Sequence, residues 1–478
     1  MKKIRFTLSS RSAAALLLFA VIFGLAFWLR QFTFWLPHWQ GDQSQYVILA
    51  MKLGAKMDPA AYNLSETNVE YLRTDAPPGT TVAYPYRAPG VRGEILDSYH
   101  RNSIGYYDMP LFYKAPLFPI ILNLSHRLFA GPDSPYAVLQ SNLAAKVLEL
   151  KPRLYLNTQF WAAVVPFASS LMILTLCFLW TWHYFGVRAA LYAAFILAIH
   201  PVSILTSNRL WTEDVMTLFL ALGLWTYYEG FTRRKLWACF AGGVLTGLSV
   251  LTNQKSLLPA FGMFLFTLIA VRSEGEGKKS LWRGLWDLRW WAFAFALALV
   301  TAKWFWTIWS LYGNPLWEPK SEKINPSEWG WYRVLLSRPH GVIFYPVGTV
   351  AIAWAFAAGF ATLRDGVRSG IASWRGKALT REQLLTLFAW CWTLPLAAYL
   401  MNKRTGEYRY LFPAYPVIAA MSGWMLVRLE KKLAGILARP WFATVVIAIF
   451  LIGSACYAIP VTFKTLWLER NLIHAPWR

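Results

Sequence analysis

Apolar runs of about 18 to 22 residues, the length that crosses a hydrocarbon core of roughly 30 Å, recur along the whole chain and constrain its fold more than any other feature. In lipid every backbone polar group must be paired within its own segment, so such runs have to be helices. They fall near 12–29, 159–182, 189–206, 214–230, 236–252, 256–271, 290–311, 342–362, 384–401, 410–428 and 440–459. The expected fold is therefore an all-α polytopic membrane protein of about eleven transmembrane helices. Residues 1–478 form one integral membrane domain, with a short external tail at 460–478. Many of the 27 tryptophans, among them Trp35, Trp304, Trp306 and Trp441, stand at the ends of apolar runs, where indole suits the headgroup level.

The net charge of +23 would fit nucleic acid if it formed one patch. It does not, because the basic residues sit in short segments between apolar runs. With the N-terminus inside, 22 lysines and arginines lie in cytoplasmic segments and 12 in the short outer loops and tail. The expected location is thus an inner membrane of bacterial type, N-terminus cytoplasmic, with no nucleic-acid partner. Lys2, Lys3, Arg5 and Arg11 precede the first apolar run, and no small-residue cleavage site follows it, so the start reads as an uncleaved signal anchor. The four cysteines lie far apart inside apolar runs, a pattern of buried packing rather than of metal binding.

This orientation puts residues 30–158 outside as one long loop with 12 basic and 10 acidic residues. Tyr46 to Lys56 follows a capping-type stretch, Gly41-Asp42-Gln43-Ser44, and reads as a helix. From Pro116 to Ala130, Leu117, Ile120, Ile121, Leu124 and Leu128 share one helical face. Such a helix lies in the membrane interface or packs on the bundle, and the pattern alone allows both.

Three groups outside could carry chemistry. Asp42, at the water boundary, could accept a proton from a hydroxyl or simply cap the next helix. Glu213 and Asp214 open a span after a very short turn, Asn208 to Thr212. Adjacent carboxylates at a membrane edge are costly without water or a polar cavity, although both would also suit the helix dipole. Lys114, Lys255, Lys403, Arg404 and Arg409 form a basic outer set suited to an anionic partner such as a lipid-linked phosphate, or to ordinary headgroup anchoring. No zinc pattern, P-loop, dinucleotide fingerprint or nucleophile elbow occurs. His200, before Pro201 in an apolar run, reads as packed or hydrogen-bonded rather than as a ligand.

Taken in order, these segments resemble the GT-C superfamily of polyprenyl-phosphate-sugar-dependent glycosyltransferases, in particular protein O-mannosyltransferases and lipid A aminoarabinose transferases. The acidic motif after the first span reads Asp42-Gln43-Ser44-Gln45-Tyr46, and the lysine-proline element of the first outer loop reads Tyr113-Lys114-Ala115-Pro116-Leu117-Phe118. The second acid matches Glu213, with Asp214 competing for the role. Gly247 to Lys255 matches a glycine-leucine to lysine stretch, and Glu407-Tyr408-Arg409-Tyr410-Leu411-Phe412-Pro413 matches a late arginine-tyrosine element.

The resemblance implies sugar transfer, hexosyl or pentosyl, from a polyprenyl-phosphate carrier to a lipid, glycan or protein acceptor at the outer face, with inversion. It assigns catalysis to Asp42 and to Glu213 or Asp214, and donor phosphate binding to Lys114, Lys255, Arg404 and Arg409. Sugar contacts fall to Tyr46, Tyr113 and Tyr410. No cofactor is expected; a divalent metal is compatible with the chemistry, but Gln43 stands where a second carboxylate would help to hold one. Rival readings are a flippase or transporter of lipid-linked glycans, a polysaccharide ligase, and an inactive scaffold.

Overall fold

The computed structural model describes residues 10–32, Tyr46, Ala50, 115–129, 152–274, 282–312, 361, 363–372, 378–401, 408–437 and 440–472. Its helices follow the hydropathy pattern closely. They are α1 (Ser10–Arg30), α2 (Leu117–Phe129), α3 (Pro152–Phe185), α4 (Val187–Ile199), α5 (Pro201–Ser207), α6 (Glu213–Thr232), α7 (Leu236–Thr252) and α8 (Leu257–Arg272). After these come α9 (Trp282–Leu285), α10 (Leu288–Tyr312), α11 (Arg381–Met401), α12 (Tyr415–Leu437) and α13 (Pro440–Leu472). Short 3-10 turns at Gln254–Ser256 and Tyr408–Ala414 precede α8 and α12. Among the described residues there is no strand.

Every expected span except 342–362, which lies almost wholly outside the described residues, coincides with helix. Six helical segments are long and apolar enough to cross a membrane, or seven if the bent pair α4 and α5 counts as one. Ten of the eleven expected spans thus coincide with helix, and six or seven helical segments meet the length and hydropathy of a membrane span. α7 is a 17-residue apolar helix, and α6 and α11 carry acidic residues in their first turns. α13 continues as helix to Leu472, into the segment expected as a tail at 460–478.

Small residues bring α6, α7 and α10 into backbone contact, the usual substitute for a hydrophobic drive between helices in lipid. A Cβ on Gly242 would lie 2.8 Å from the Gly223 carbonyl oxygen and from the Tyr227 amide. A Cβ on Gly243 would collide with the Phe293 backbone carbonyl of α10. On the other side of α3, Gly423 of α12 sits against the backbone of Ala189 and Ala193 on α4. Aromatic rings fill the space between: Tyr228, Phe266 and Phe388 meet across α6, α8 and α11, with Tyr228 and Phe388 centroids 4.8 Å apart.

Charged groups pair at one end of the bundle. Arg289 binds Asp287 (2.6 Å) and Glu274 (2.8 Å), Arg233 binds Glu229 (2.7 Å), and Arg428 binds Glu382 (2.6 Å). All of these belong to segments that the charge bias assigns to the cytoplasm. Glu213 starts α6 and Glu229 stands near its other end, about 24 Å away at 1.5 Å per residue. The two acids therefore mark opposite ends of α6.

α2 answers the question its periodicity left open. Phe118, Leu122, Asn123, Ser125 and His126 are buried against α3, where His126 meets Trp161 edge-on at 5.0 Å. The Asn123 amide donates to the Ala50 carbonyl (3.0 Å), and the Ser125 hydroxyl to the Trp161 carbonyl (2.5 Å). Of the predicted apolar face, Leu124 (53%) and Leu128 (76%) are exposed, whereas Ile121 is partly buried against the cluster of Phe118 and Trp161. The helix thus docks on the bundle through a mixed face. Three of the cysteines are buried as expected, whereas Cys456 on α13 is exposed.

Candidate functional site

The short turn between α5 and α6 is built by a helix break. Pro201 cannot donate a backbone hydrogen bond, so α4 stops at Ile199 and α5 departs at 58°. α5 ends at Ser207, where the Asn208 backbone N–H closes the helix on Ile204 and Thr206, and α6 begins at Glu213. The intervening residues present Trp211, Thr212 and Glu213 at the expected outer end of the bundle.

Two other connections reach the same place. Asn253, extended after α7, accepts a bond from the Lys255 amide (3.1 Å) through its side-chain oxygen and donates from its amide to the Thr212 hydroxyl (3.0 Å). The Thr212 hydroxyl lies 3.5 Å from Glu213 Oε2. The turn before α12 supplies Arg409 and Tyr410. Arg409 Nε stands 3.8 Å from Glu213 Oε1, its guanidinium lies 4.3 Å from the centre of the Trp211 ring, and Lys255 Nζ sits 3.3 Å from the centre of the Tyr410 ring.

Three loops far apart in sequence thus assemble one carboxylate, two cations and two aromatic faces. The Glu213 side chain is 4% exposed and that of Arg409 10%, so their attraction is screened much less than that of a surface pair. A phosphate arriving here would meet a forked guanidinium and an ammonium, each of which also lies against a ring face.

Of the residues selected from the sequence, Glu213, Lys255, Arg409 and Tyr410 converge. Asp214 does not join them. It is fully buried and lies in the field of Arg30, with the hydroxyls of Thr206 and Ser170 beside its carboxyl group. Tyr46 also differs from expectation. It is 8% exposed, packed edge-on to Phe118 at 5.0 Å in an apolar cluster with Leu210 and Val215, and offers little ring face to a sugar. His200 is packed against Tyr415 at 4.3 Å, but its Nδ1 has no hydrogen-bond partner. Asp42, Tyr113, Lys114, Lys403 and Arg404 lie outside the described residues. Among the described residues no group of three His, Cys, Asp or Glu side chains could hold a metal ion.

Trp211 and Asn253 were not selected from the sequence, although both lie inside quoted motifs. An aromatic residue before the acid and an amide before the lysine are weak signals, and their value comes from a contact between distant loops.

No family model matches the sequence, and no curated protein is significantly similar to it. Solved structures are similar in fold. ArnT from Cupriavidus metallidurans, in the apo state and bound to undecaprenyl phosphate, superposes with a TM-score of 0.54 at 14% identity, covering 96% of this chain and 76% of that one. The archaeal oligosaccharyltransferase AglB from Archaeoglobus fulgidus, in complex with an inhibitory peptide and a dolichol-phosphate, superposes with a TM-score of 0.52 at 14% identity. That match covers 95% of this chain and 56% of AglB. Both neighbours are GT-C superfamily members, and the chain has the GT-C-like fold that the sequence resemblance implies.

Proposed function

We propose that this protein transfers a sugar from a polyprenyl-phosphate carrier to an acceptor at the extracytoplasmic face, with inversion at the anomeric carbon. The observation that carries the reading is the convergence of Arg409, Glu213 and Lys255 from three outer connections of a GT-C-like bundle. Polyprenyl phosphates accompany both structural neighbours, undecaprenyl phosphate with ArnT and dolichol-phosphate with AglB.

The chemistry requires an acceptor hydroxyl to attack the anomeric carbon while the bond from that carbon to the phosphate oxygen breaks. The acceptor loses a proton and the carrier leaves as polyprenyl phosphate. Arg409 and Lys255, with Lys114 and Arg404 from the expected outer loops, stabilise the charge that grows on the phosphate. Glu213 holds the Arg409 guanidinium and sets its orientation. Asp42 accepts the proton of the acceptor. Two contacts support drawing the first loop into this site. Tyr46, four residues after Asp42, is buried with Leu210 and Val215 beside the start of α6. Ala115, next to Lys114, is buried with Val250 and Trp304 near the end of α7. Tyr410 and Tyr113 are the sugar-contact candidates.

Full-length protein in lipid nanodiscs, given a polyprenyl-phosphate-linked sugar and an envelope lipid extract, is expected to release free polyprenyl phosphate. Asp42→Asn is expected to abolish that release without changing the elution profile or thermal midpoint. Full turnover in Asp42→Asn would remove the base assignment. Passage of intact lipid-linked sugar across vesicles, with no release, would instead make the chain a transporter.

A further inference from the structure

The first span ends on Arg30, which has no solvent exposure at all. A buried guanidinium in a membrane helix is expensive unless each donor is used, and here all five are. Arg30 Nε donates to the Ser170 hydroxyl of α3 (2.8 Å). Nη1 donates to the carbonyls of Ala26 (3.2 Å) and Ala198 (3.0 Å). Nη2 donates to the Leu197 carbonyl (3.2 Å) and the Ser203 hydroxyl (2.7 Å).

The acceptors explain the residue. In a continuous helix the Leu197 and Ala198 carbonyls would take the amides of residues 201 and 202. Pro201 has no amide hydrogen, and the 58° bend at His200 carries Val202 away. Arg30 therefore supplies the donors that the break removes, and its charge suits the negative end of the α4 dipole. Asp214, buried in the first turn of α6 near the Thr206 and Ser170 hydroxyls, lies in the field of the Arg30 guanidinium. One side chain on α1 thus holds α3, α4 and α5, and α5 leads directly into the Trp211–Glu213 turn.

We propose that Arg30 is a positioning residue: it braces the break between α4 and α5, and through α5 it sets the Trp211–Glu213 turn against Arg409. The consequence for ligand binding rests on the reading of Glu213 and Arg409 as a phosphate site.

The test uses full-length protein in nanodiscs and follows backbone hydrogen exchange across residues 196–214, thermal midpoint, and binding of undecaprenyl phosphate. Arg30→Gln is expected to speed exchange in 198–212 at least tenfold, with α7 and α10 unchanged, and to weaken binding at least tenfold. Arg30→Lys, which keeps the charge but has three donors, is expected to fall between; it is the variant measured if Arg30→Gln does not fold. Pro201→Ala in the Arg30→Gln background returns a donor to the Leu197 carbonyl, so it should recover the thermal midpoint without recovering binding. Unchanged exchange in Arg30→Gln and Arg30→Lys would overturn the brace. Recovery of binding together with the midpoint would reduce Arg30 to a structural role and overturn the positioning claim. If the unaltered protein does not bind undecaprenyl phosphate, the donor reading fails, and the exchange measurement still decides the brace.

Discussion

At the residue scale, Glu213 and Asp214 are neighbours with opposite surroundings. The first turn of α6 directs Glu213 towards Arg409 and Asp214 into the bundle beside Arg30. Successive side chains on a helix project about 100° apart, so adjacent acids cannot share a face, and the sequence alone left both as candidates. Arg409 has two duties, as partner of Glu213 and as a cation stacked on Trp211. A lysine keeps the charge but loses the fork and the stacking. Arg409→Lys is expected to weaken undecaprenyl phosphate binding about tenfold, on the order of 1.4 kcal/mol, measured by titration in nanodiscs. An affinity within a factor of two of the unaltered protein would show that only the point charge matters.

Elements impose a second kind of constraint. The α6–α7–α10 contact depends on glycines at which a side chain would meet backbone, and backbone cannot yield as a flexible side chain does. Gly243→Ala drives a methyl into the Phe293 carbonyl and is expected to lower the thermal midpoint, at a cost of about 1–3 kcal/mol. Gly453→Ala on α13, where nothing lies within 4 Å of the added carbon, serves as the control and should leave it unchanged. α2 responds to pH through His126. Burial, aided by the neighbouring Arg127 charge, pushes this imidazole down from 6.5 to about 4. The undocked helix binds the proton more tightly than the docked one. Docking is therefore complete above pH 6.5 and weakens as the pH falls towards 4. Protection of residues 117–129, taken as hydrogen exchange relative to the intrinsic rate at each pH, should be lower at pH 5 than at pH 7.5, and His126→Phe, which keeps an aromatic ring on Trp161, should flatten the difference. Equal protection at both values would exclude His126 as the cause.

For the whole molecule the main question is which end faces which compartment. The ion pairs of Arg233, Arg289 and Arg428 lie at one end of the helices and the Glu213–Arg409 pair at the other. The charge bias predicts that the first end is cytoplasmic. In a variant lacking the four native cysteines, a cysteine at the exposed Arg234 should be labelled by a membrane-impermeant maleimide only after the cells are opened. A cysteine at Lys403 should be labelled in intact cells. The reverse pattern would invert the topology and move the proposed site to the cytoplasm.

The apolar runs by themselves determined that this chain is helical and membrane-embedded, and where most helices begin and end. Hydropathy is a local property, and lipid leaves the backbone of such a run no alternative to helix. The same runs could not determine which helices are long enough to cross, since a break such as Pro201 becomes a 58° bend only against its neighbours. Motif order suggested Glu213, Lys255 and Arg409, but their meeting, with Trp211 and Asn253 among them, depends on three connections brought together by packing. Arg30 shows the limit most directly. In the sequence it is one more basic residue at the end of a span; its five acceptors belong to α1, α3, α4 and α5, and only the tertiary structure assembles them.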